Sequence, residues 1–179
     1  MLYVFGFTRL GVVLSDLYFA DPNPEPGQEG AERGVRLEVR YVDVAEQGGT
    51  VYASRPIIAG EPLWRVDLLE SVTNPGSLDR AHHHPRMRGW EPGRRTFDEA
   101  ISADPIGWLA SRLDDLSEVT AALADDCVDI GDDELAELRA AAPEIVDAVK
   151  RLLERIGTGE LARPPMQADT SVLVRSGWL

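Results

Sequence analysis

The chain has 179 residues, a formal net charge of −13 and 44% hydrophobic residues. This length and composition predict one folded globular domain, because disordered acidic chains contain fewer apolar residues. The negative charge argues against binding to nucleic acids or to anionic membranes. A single cysteine, Cys127, excludes an intramolecular disulfide framework. We therefore expect a soluble, cytoplasmic protein.

The first part of the chain has the side-chain alternation of β-strands. Short apolar segments at 2–7 and 10–19 predict two strands joined by a tight turn. The segments 35–44 and 63–71 alternate between apolar and polar residues, as half-buried strands do. The segment 50–55 follows a Gly-Gly turn and has the same extended pattern. These segments together predict an antiparallel sheet.

The polar residues of two of these strands are spaced so that they share one sheet face. On an exposed face they would form a cross-strand ladder of charges: Arg36, Glu38, Arg40, Arg65 and Asp67. The alternative is that the sheet curls into a small barrel and the same residues line a polar cavity. The apolar residues between them are expected to pack beneath helices: Trp64, Val66 and Leu68.

From residue 96 onward the apolar residues recur at helical spacing. A capping box begins at Thr96, and Asp104 is the expected N-cap of a helix whose first residue is proline. A further helix is predicted at 132–141. The longest helix is expected to begin at Pro143 and to end at Gly157. This helix is apolar over a wide stripe, so we expect it to be sandwiched within the chain or between the two copies of a homodimer.

These patterns predict an α+β fold in a single domain. An N-terminal antiparallel sheet of about five strands would pack against a C-terminal layer of about three or four helices. The domain divides into a β-rich part at 1–78, a His/Arg-rich loop at 79–95, a helical part at 96–160 and a tail at 161–179. A last strand is expected within the tail, at 171–175.

All three histidines of the chain lie together in the His/Arg-rich loop. Successive side chains of an extended segment point to opposite sides, so His82 and His84 are expected to share one face. His83 would then point away from them, into solvent. The alternative to a shared site is that all three imidazoles are surface or hydrogen-bonding groups of a loop.

Two histidines on one face suggest a metal site or a pair of acid–base groups. Asp67 is the expected third member because its strand leads into the histidine segment, and Asp79 and Glu91 are alternatives. Two imidazoles and a carboxylate suit zinc or iron(II), with positions left open for substrate and water. We therefore take His82, His84 and Asp67 as candidate metal ligands and as candidate catalytic residues.

The same loop is rich in arginine. Planar guanidinium groups bind carboxylates or phosphates through paired hydrogen bonds, and an indole offers a stacking surface. The candidate anion-binding residues are Arg65, Arg86, Arg88, Trp90 and Arg94. The alternative is that these arginines form ion pairs with the acidic helices.

Two functional hypotheses follow. The first is a small-anion-binding protein or metal-assisted enzyme with its site at 79–95. The second is a non-enzymatic regulatory protein whose acidic helices bind a basic partner, since 98–160 contains seventeen acidic and five basic residues. No phosphate-binding glycine loop, Gly-x-Ser-x-Gly elbow or Cys-x-x-Cys pair is present in the sequence to select a reaction.

Overall fold

Five antiparallel strands follow one another in the sheet in the same order as in the chain. The structure is a computed structural model that describes residues 1–20, 23, 30–46 and 48–164. The strands of this sheet are β1 (Leu2–Gly6), β2 (Leu10–Ala20), β3 (Ala31–Val44), β4 (Ile57–Ser71) and β5 (His82–His84). Two short strands, β6 (Met87–Arg88) and β7 (Glu91–Pro92), form a separate hairpin. Among the described strands the sheet is open and is not closed into a barrel.

The C-terminal half of the described chain is helical, which confirms the predicted α+β fold. Its helices are α1 (Glu99–Ala103), α2 (Pro105–Asp115), α3 (Ser117–Asp125) and α4 (Asp132–Gly157). Asp104 caps α2 as predicted, because its Oδ1 accepts a hydrogen bond from Gly107 N at 2.9 Å. Within the described ranges, no helix is both long and apolar enough to cross a membrane. The strand predicted at 171–175 lies outside the described residues.

The two faces of the sheet have different roles because side chains alternate along each strand. The inner face packs against the helices and is apolar, with α4 across β2 and β3 and with α3 on β4. Residues of both layers form one core, for example Val12, Leu37, Val66, Leu109 and Ile145. Each such side chain contributes about 1.5–3 kcal/mol when it is removed from water.

The outer face, on the other side of the sheet, is the polar one. The pairing places Arg36 beside Asp67 and Glu38 beside Arg65, and both neighbours form ion pairs across the strands. Arg40 also pairs with Glu38, through Nε and Oε2 at 2.9 Å. The predicted cross-strand pairing of charges is therefore present, but Glu38, Arg65 and Asp67 are buried, so the expectation of an exposed face is wrong. The strands that the structure describes do not close into a barrel around a polar cavity.

Three local predictions are wrong. The segment 50–55 is mainly a turn, closed by a hydrogen bond from Ala53 N to Thr50 O at 2.9 Å. Thr96 is not an N-cap, because its backbone pairs with His83; Asp98 caps α1 instead, accepting from Ala100 N at 2.9 Å. The backbone pairing of Thr96 with His83 thus prevents the capping that the local sequence predicted.

The third difference concerns α4, which is one continuous helix where two were predicted. Pro143 lies inside it, although a proline removes one backbone hydrogen bond and costs about 3 kcal/mol in a helix interior. Apolar residues on both sides of the proline lie in the same buried stripe and outweigh this cost: Leu135, Leu138, Ile145, Val149 and Leu152. The stripe is buried within one chain, so it gives no reason to expect a homodimer. Homodimerisation and binding of a basic partner stay predictions.

Candidate metal centre

The histidine triplet forms β5 and is not a loop, contrary to the prediction. It pairs with β4, where His84 lies beside Arg65, His83 beside Val66 and His82 beside Asp67. On its other side, His83 exchanges two backbone hydrogen bonds with Thr96, at 3.0 and 2.8 Å. Neighbours on both sides therefore hold the triplet in an extended conformation.

The alternation of β5 places its histidines on both faces of the sheet. His82 and His84 share the outer face, as predicted, and their ring centroids are 5.1 Å apart. His83 is on the inner face and is only 4% exposed, so the expectation that it is solvated is wrong. Its ring lies 5.0 Å from that of Trp108, and its Nε2 lies 3.4 Å from Oε1 of Glu118.

Asp67, His82 and His84 converge on the outer face. The Oδ2 atom of Asp67 lies 3.5 Å from Nε2 of His82 and 3.8 Å from Nε2 of His84. One ligand atom from each residue lies within 4.8 Å of the other two, and all three side chains are buried. Ligands of a tetrahedral zinc ion, at about 2.0–2.1 Å from the metal, lie about 3.3 Å from one another. The observed separations from the carboxylate are within a few tenths of an ångström of that value.

Backbone carbonyl groups orient both imidazoles. The Nδ1 atom of His82 lies 2.7 Å from the carbonyl oxygen of Arg80, and that of His84 lies 2.9 Å from the carbonyl oxygen of Gly93. A carbonyl group only accepts, so each Nδ1 is the protonated nitrogen and each Nε2 carries the lone pair of its ring. This is the arrangement by which outer-shell groups usually fix metal-binding histidines.

The two imidazoles are neutral at physiological pH. Burial lowers the pKa of His82 below its ordinary value. Burial, together with the positive charge of Arg65, lowers the pKa of His84 to about 4. Arg65 Nη2 lies 3.2 Å from His84 Nε2, and because a guanidinium only donates, this contact also requires an unprotonated Nε2. The lone pair of His82 is therefore available to a cation, and that of His84 becomes available when Arg65 no longer donates to it.

The carboxylate of Asp67 stays ionised in spite of its burial. Burial by itself would raise its pKa, but the charge and hydrogen bonds of Arg36 and the charge of Arg65 outweigh that effect and lower it. Arg36 donates from Nε to Oδ1 at 2.7 Å and from Nη2 to Oδ2 at 3.2 Å. A charged carboxylate is the form that binds a metal ion.

Of the residues predicted to bind an anion, Arg65 belongs to this cluster. Arg86 donates from Nη1 to the carbonyl oxygen of Ala121 at 2.8 Å and pairs with Asp125 of α3, as the ion-pair alternative predicted. Trp90 stacks on the guanidinium of Arg40 at 5.4 Å. Arg88 and Arg94 are exposed. Anion binding by these residues stays a prediction.

The alternative third ligands lie elsewhere. Asp79 accepts hydrogen bonds from the backbone N and the Oγ of Ser71, both at 2.8 Å, and so closes the connection before β5. Glu91 is exposed in the β6–β7 hairpin. The carboxylate that faces His82 and His84 is therefore that of Asp67, from β4.

Sequence reasoning missed three contributors to the cluster. The carbonyl groups of Arg80 and Gly93 have no signal in a sequence, since any residue supplies a carbonyl group. Phe97 packs on His82, with ring centroids 5.4 Å apart. The alternation around the bridge between Thr96 and His83 would have placed Phe97 there, had that pairing been recognised.

Comparison of the chain with protein-family models, with curated proteins and with solved structures finds no match. Functional inference therefore depends on the geometry of the cluster itself.

Proposed function

We propose that this protein binds a divalent transition-metal ion, zinc or iron(II), through Asp67, His82 and His84, and that the ion assists a reaction at this site. The observation on which this proposal depends is the convergence of two imidazole lone pairs and one carboxylate. Both imidazoles have their other nitrogen bound to a carbonyl group. The three ligand groups are thus oriented before any ion binds.

The number of ligands favours a reactive site over a purely structural one. Structural zinc sites usually have four protein ligands, whereas catalytic sites have three and leave a position for water or substrate. Two histidines and one carboxylate with open positions are also typical of iron(II) oxygenases. Asp67, His82 and His84 are the only three-residue group of this kind in the part of the chain that the structure describes.

The competing explanation is a buried hydrogen-bond network with no metal. Arg65 supports it in part, because its Nη2 donates to His84 Nε2. Among the described residues, however, the polar group that His82 Nε2 faces is the Asp67 carboxylate, and both of those groups are acceptors. A cation shared by the two acceptors would turn this unfavourable contact into a stabilising one.

The test is metal analysis of protein that was expressed without a histidine tag and purified without immobilised metal. We expect close to one equivalent of zinc or iron in the wild type. His82→Ala and His84→Ala should each lose the ion, and Asp67→Asn should weaken binding by more than the roughly 10- to 100-fold that loss of an outer-shell partner costs.

The chain offers a matched control in the same strand. His83→Gln changes the residue between the two ligands but lies on the opposite face of the sheet. It should retain the metal. Absence of metal from wild-type protein, also after incubation with zinc or with iron(II) under anaerobic conditions, would refute the proposal. Equal loss of metal in His83→Gln and His84→Ala would do so as well, since it would point to general destabilisation.

A further inference from the structure

The cluster has an excess of positive charge before any metal binds. The guanidinium groups of Arg36, Arg40 and Arg65 face the carboxylates of Glu38 and Asp67 through four ion pairs. With neutral histidines, three cations against two anions leave one positive charge. A divalent metal ion would raise this to three on a largely buried surface, where uncompensated charge is unfavourable.

Arg65 is the least satisfied cation of the cluster. The residue is only 8% exposed. Its Nε lies 3.3 Å from Asp67 Oδ2 but, among the described residues, has no hydrogen-bond partner. Its Nη1 lies 3.8 Å from Glu38 Oε1, and its Nη2 donates to the neutral His84 ring at 3.2 Å.

Metal binding would remove the contact between Arg65 and His84. The lone pair of His84 Nε2 can serve either the guanidinium or a metal ion, but not both. With a metal bound, the guanidinium of Arg65 therefore loses its imidazole acceptor while it remains beside the metal ligands. The Nη2 donor that is released would then need another acceptor, because a buried donor without an acceptor is unfavourable.

We infer that the metal ion and a small oxyanion, a carboxylate or a phosphate, bind to this site together, with Arg65 as the residue that binds the anion. This inference rests on the proposed metal site. One oxygen of the anion would occupy an open position of the metal, and another would accept from the guanidinium of Arg65, whose forked donors match such groups. The negative charge of the anion would offset the excess positive charge.

The surroundings of the cluster favour an anion. The bridge between His83 and Thr96 places Arg95 next to His84 on the outer face, and Arg95 is exposed. Glu32, the acidic residue near it, is paired with Arg80 at 3.9 Å, so these two residues add no net charge. The acidic helices pack behind the inner face, on the other side of the sheet. At physiological ionic strength the exposed charges of those helices are screened beyond about 8 Å.

The experiment uses the full chain loaded with Co²⁺, whose visible absorption reports its ligands. Metal-free protein is titrated with Co²⁺ in perchlorate, a weakly coordinating anion, and again with millimolar acetate or inorganic phosphate at the same ionic strength. We expect a saturable change in the Co²⁺ spectrum with the oxyanion. Because the coupling is reciprocal, Co²⁺ should also bind at least about tenfold more tightly in its presence. A response to acetate identifies a carboxylate ligand, and a response to phosphate alone identifies a phosphoryl ligand.

The variant Arg65→Met should still bind Co²⁺ but lose the response to the anion. Arg65→Lys keeps the charge, loses the forked donors and should bind the anion at least about tenfold more weakly, which provides a test if the methionine variant does not fold. Arg55→Met, at an exposed position before β4, is the control and should respond like the wild type. An unchanged spectrum with bound Co²⁺, or an equal response in the wild type and in both Arg65 variants, would overturn this inference while leaving the metal site intact. Failure of Co²⁺ to bind under any condition would overturn both proposals.

Discussion

Asp67 should be important for stability as well as for metal binding, and Asp67→Asn in metal-free protein tests this. The substitution keeps the size of the side chain but removes the charge that Arg36 and Arg65 share. Asp67 is 1% exposed, and loss of one partner from a buried ion pair costs about 3–5 kcal/mol. The Arg36 side chain is 28% exposed and can regain water, so we expect the lower end of that range, about 3 kcal/mol.

The assay is urea unfolding followed by circular dichroism after dialysis against a chelator. The matched control is Asp147→Asn, the same substitution in an exposed pair in which Asp147 Oδ1 lies 3.0 Å from Lys150 Nζ. It should change the free energy of unfolding by less than about 1 kcal/mol. If Asp67→Asn were no more destabilising than the control, the outer face would not depend on this carboxylate, and our account of its charges would be wrong.

Two further predictions concern acid stability and close packing. Metal-free protein should be fully stabilised by His84 above pH 6.5 and should lose that stabilisation as the pH falls toward 4. Burial lowers the folded-state pKa of His84 from 6.5 to about 4, so the folded state favours the neutral ring. The loss amounts to about 3 kcal/mol, and an unchanged pH dependence of urea unfolding in His84→Gln would contradict it. Gly34→Ala should destabilise the fold by more than about 3 kcal/mol, since a Cβ there would lie 2.0 Å from the carbonyl oxygen of Leu68. Gly157→Ala, with nothing within 4 Å, should change the free energy of unfolding by at most about 1 kcal/mol in the same assay, and similar values for the two variants would argue against this packing.

The fold could be predicted from the sequence to the extent that its signals are local and periodic. Alternation within 35–44 and 63–71 identified two strands and assigned their faces, and the Asp-Pro pair at 104 marked the start of a helix. The same local reasoning failed where tertiary contacts decide. Thr96 has the sequence context of an N-cap, but its backbone pairs with His83 of β5. Pro143 is tolerated inside α4 because residues on both sides of it are buried.

The convergence of Asp67, His82 and His84 could be anticipated because side chains alternate along a strand and because the strand of Asp67 lies close to the histidines in the chain. Their burial could not, because it depends on the pairing of β5 with β4 and with Thr96. The contacts of the loop arginines could be predicted only as two alternatives. Arg86 contacts α3, as the ion-pair alternative expected, but the sequence did not decide between that alternative and anion binding.

Because β5 has only three residues, the site depends on the length of the connection that precedes this strand. A shift of its pairing by one residue would exchange the two faces of the strand. His83 alone would then face the Asp67 side of the sheet, and the other two imidazoles would enter the apolar core beside Trp108. The shifted strand would no longer place two imidazoles beside the Asp67 carboxylate.

The length of the connection between β4 and β5 fixes which residue of β5 pairs with which residue of β4. Gly76 and Leu78 adopt positive φ angles of 83° and 47°, and Asp79 ties the end of the connection back to Ser71. One residue inserted or deleted within 72–81 would leave every strand and helix of the fold recognisable. It would nevertheless separate Asp67 from His82 and His84, so that a relative of this protein could share the architecture and lack the His/Asp cluster through a single change in loop length.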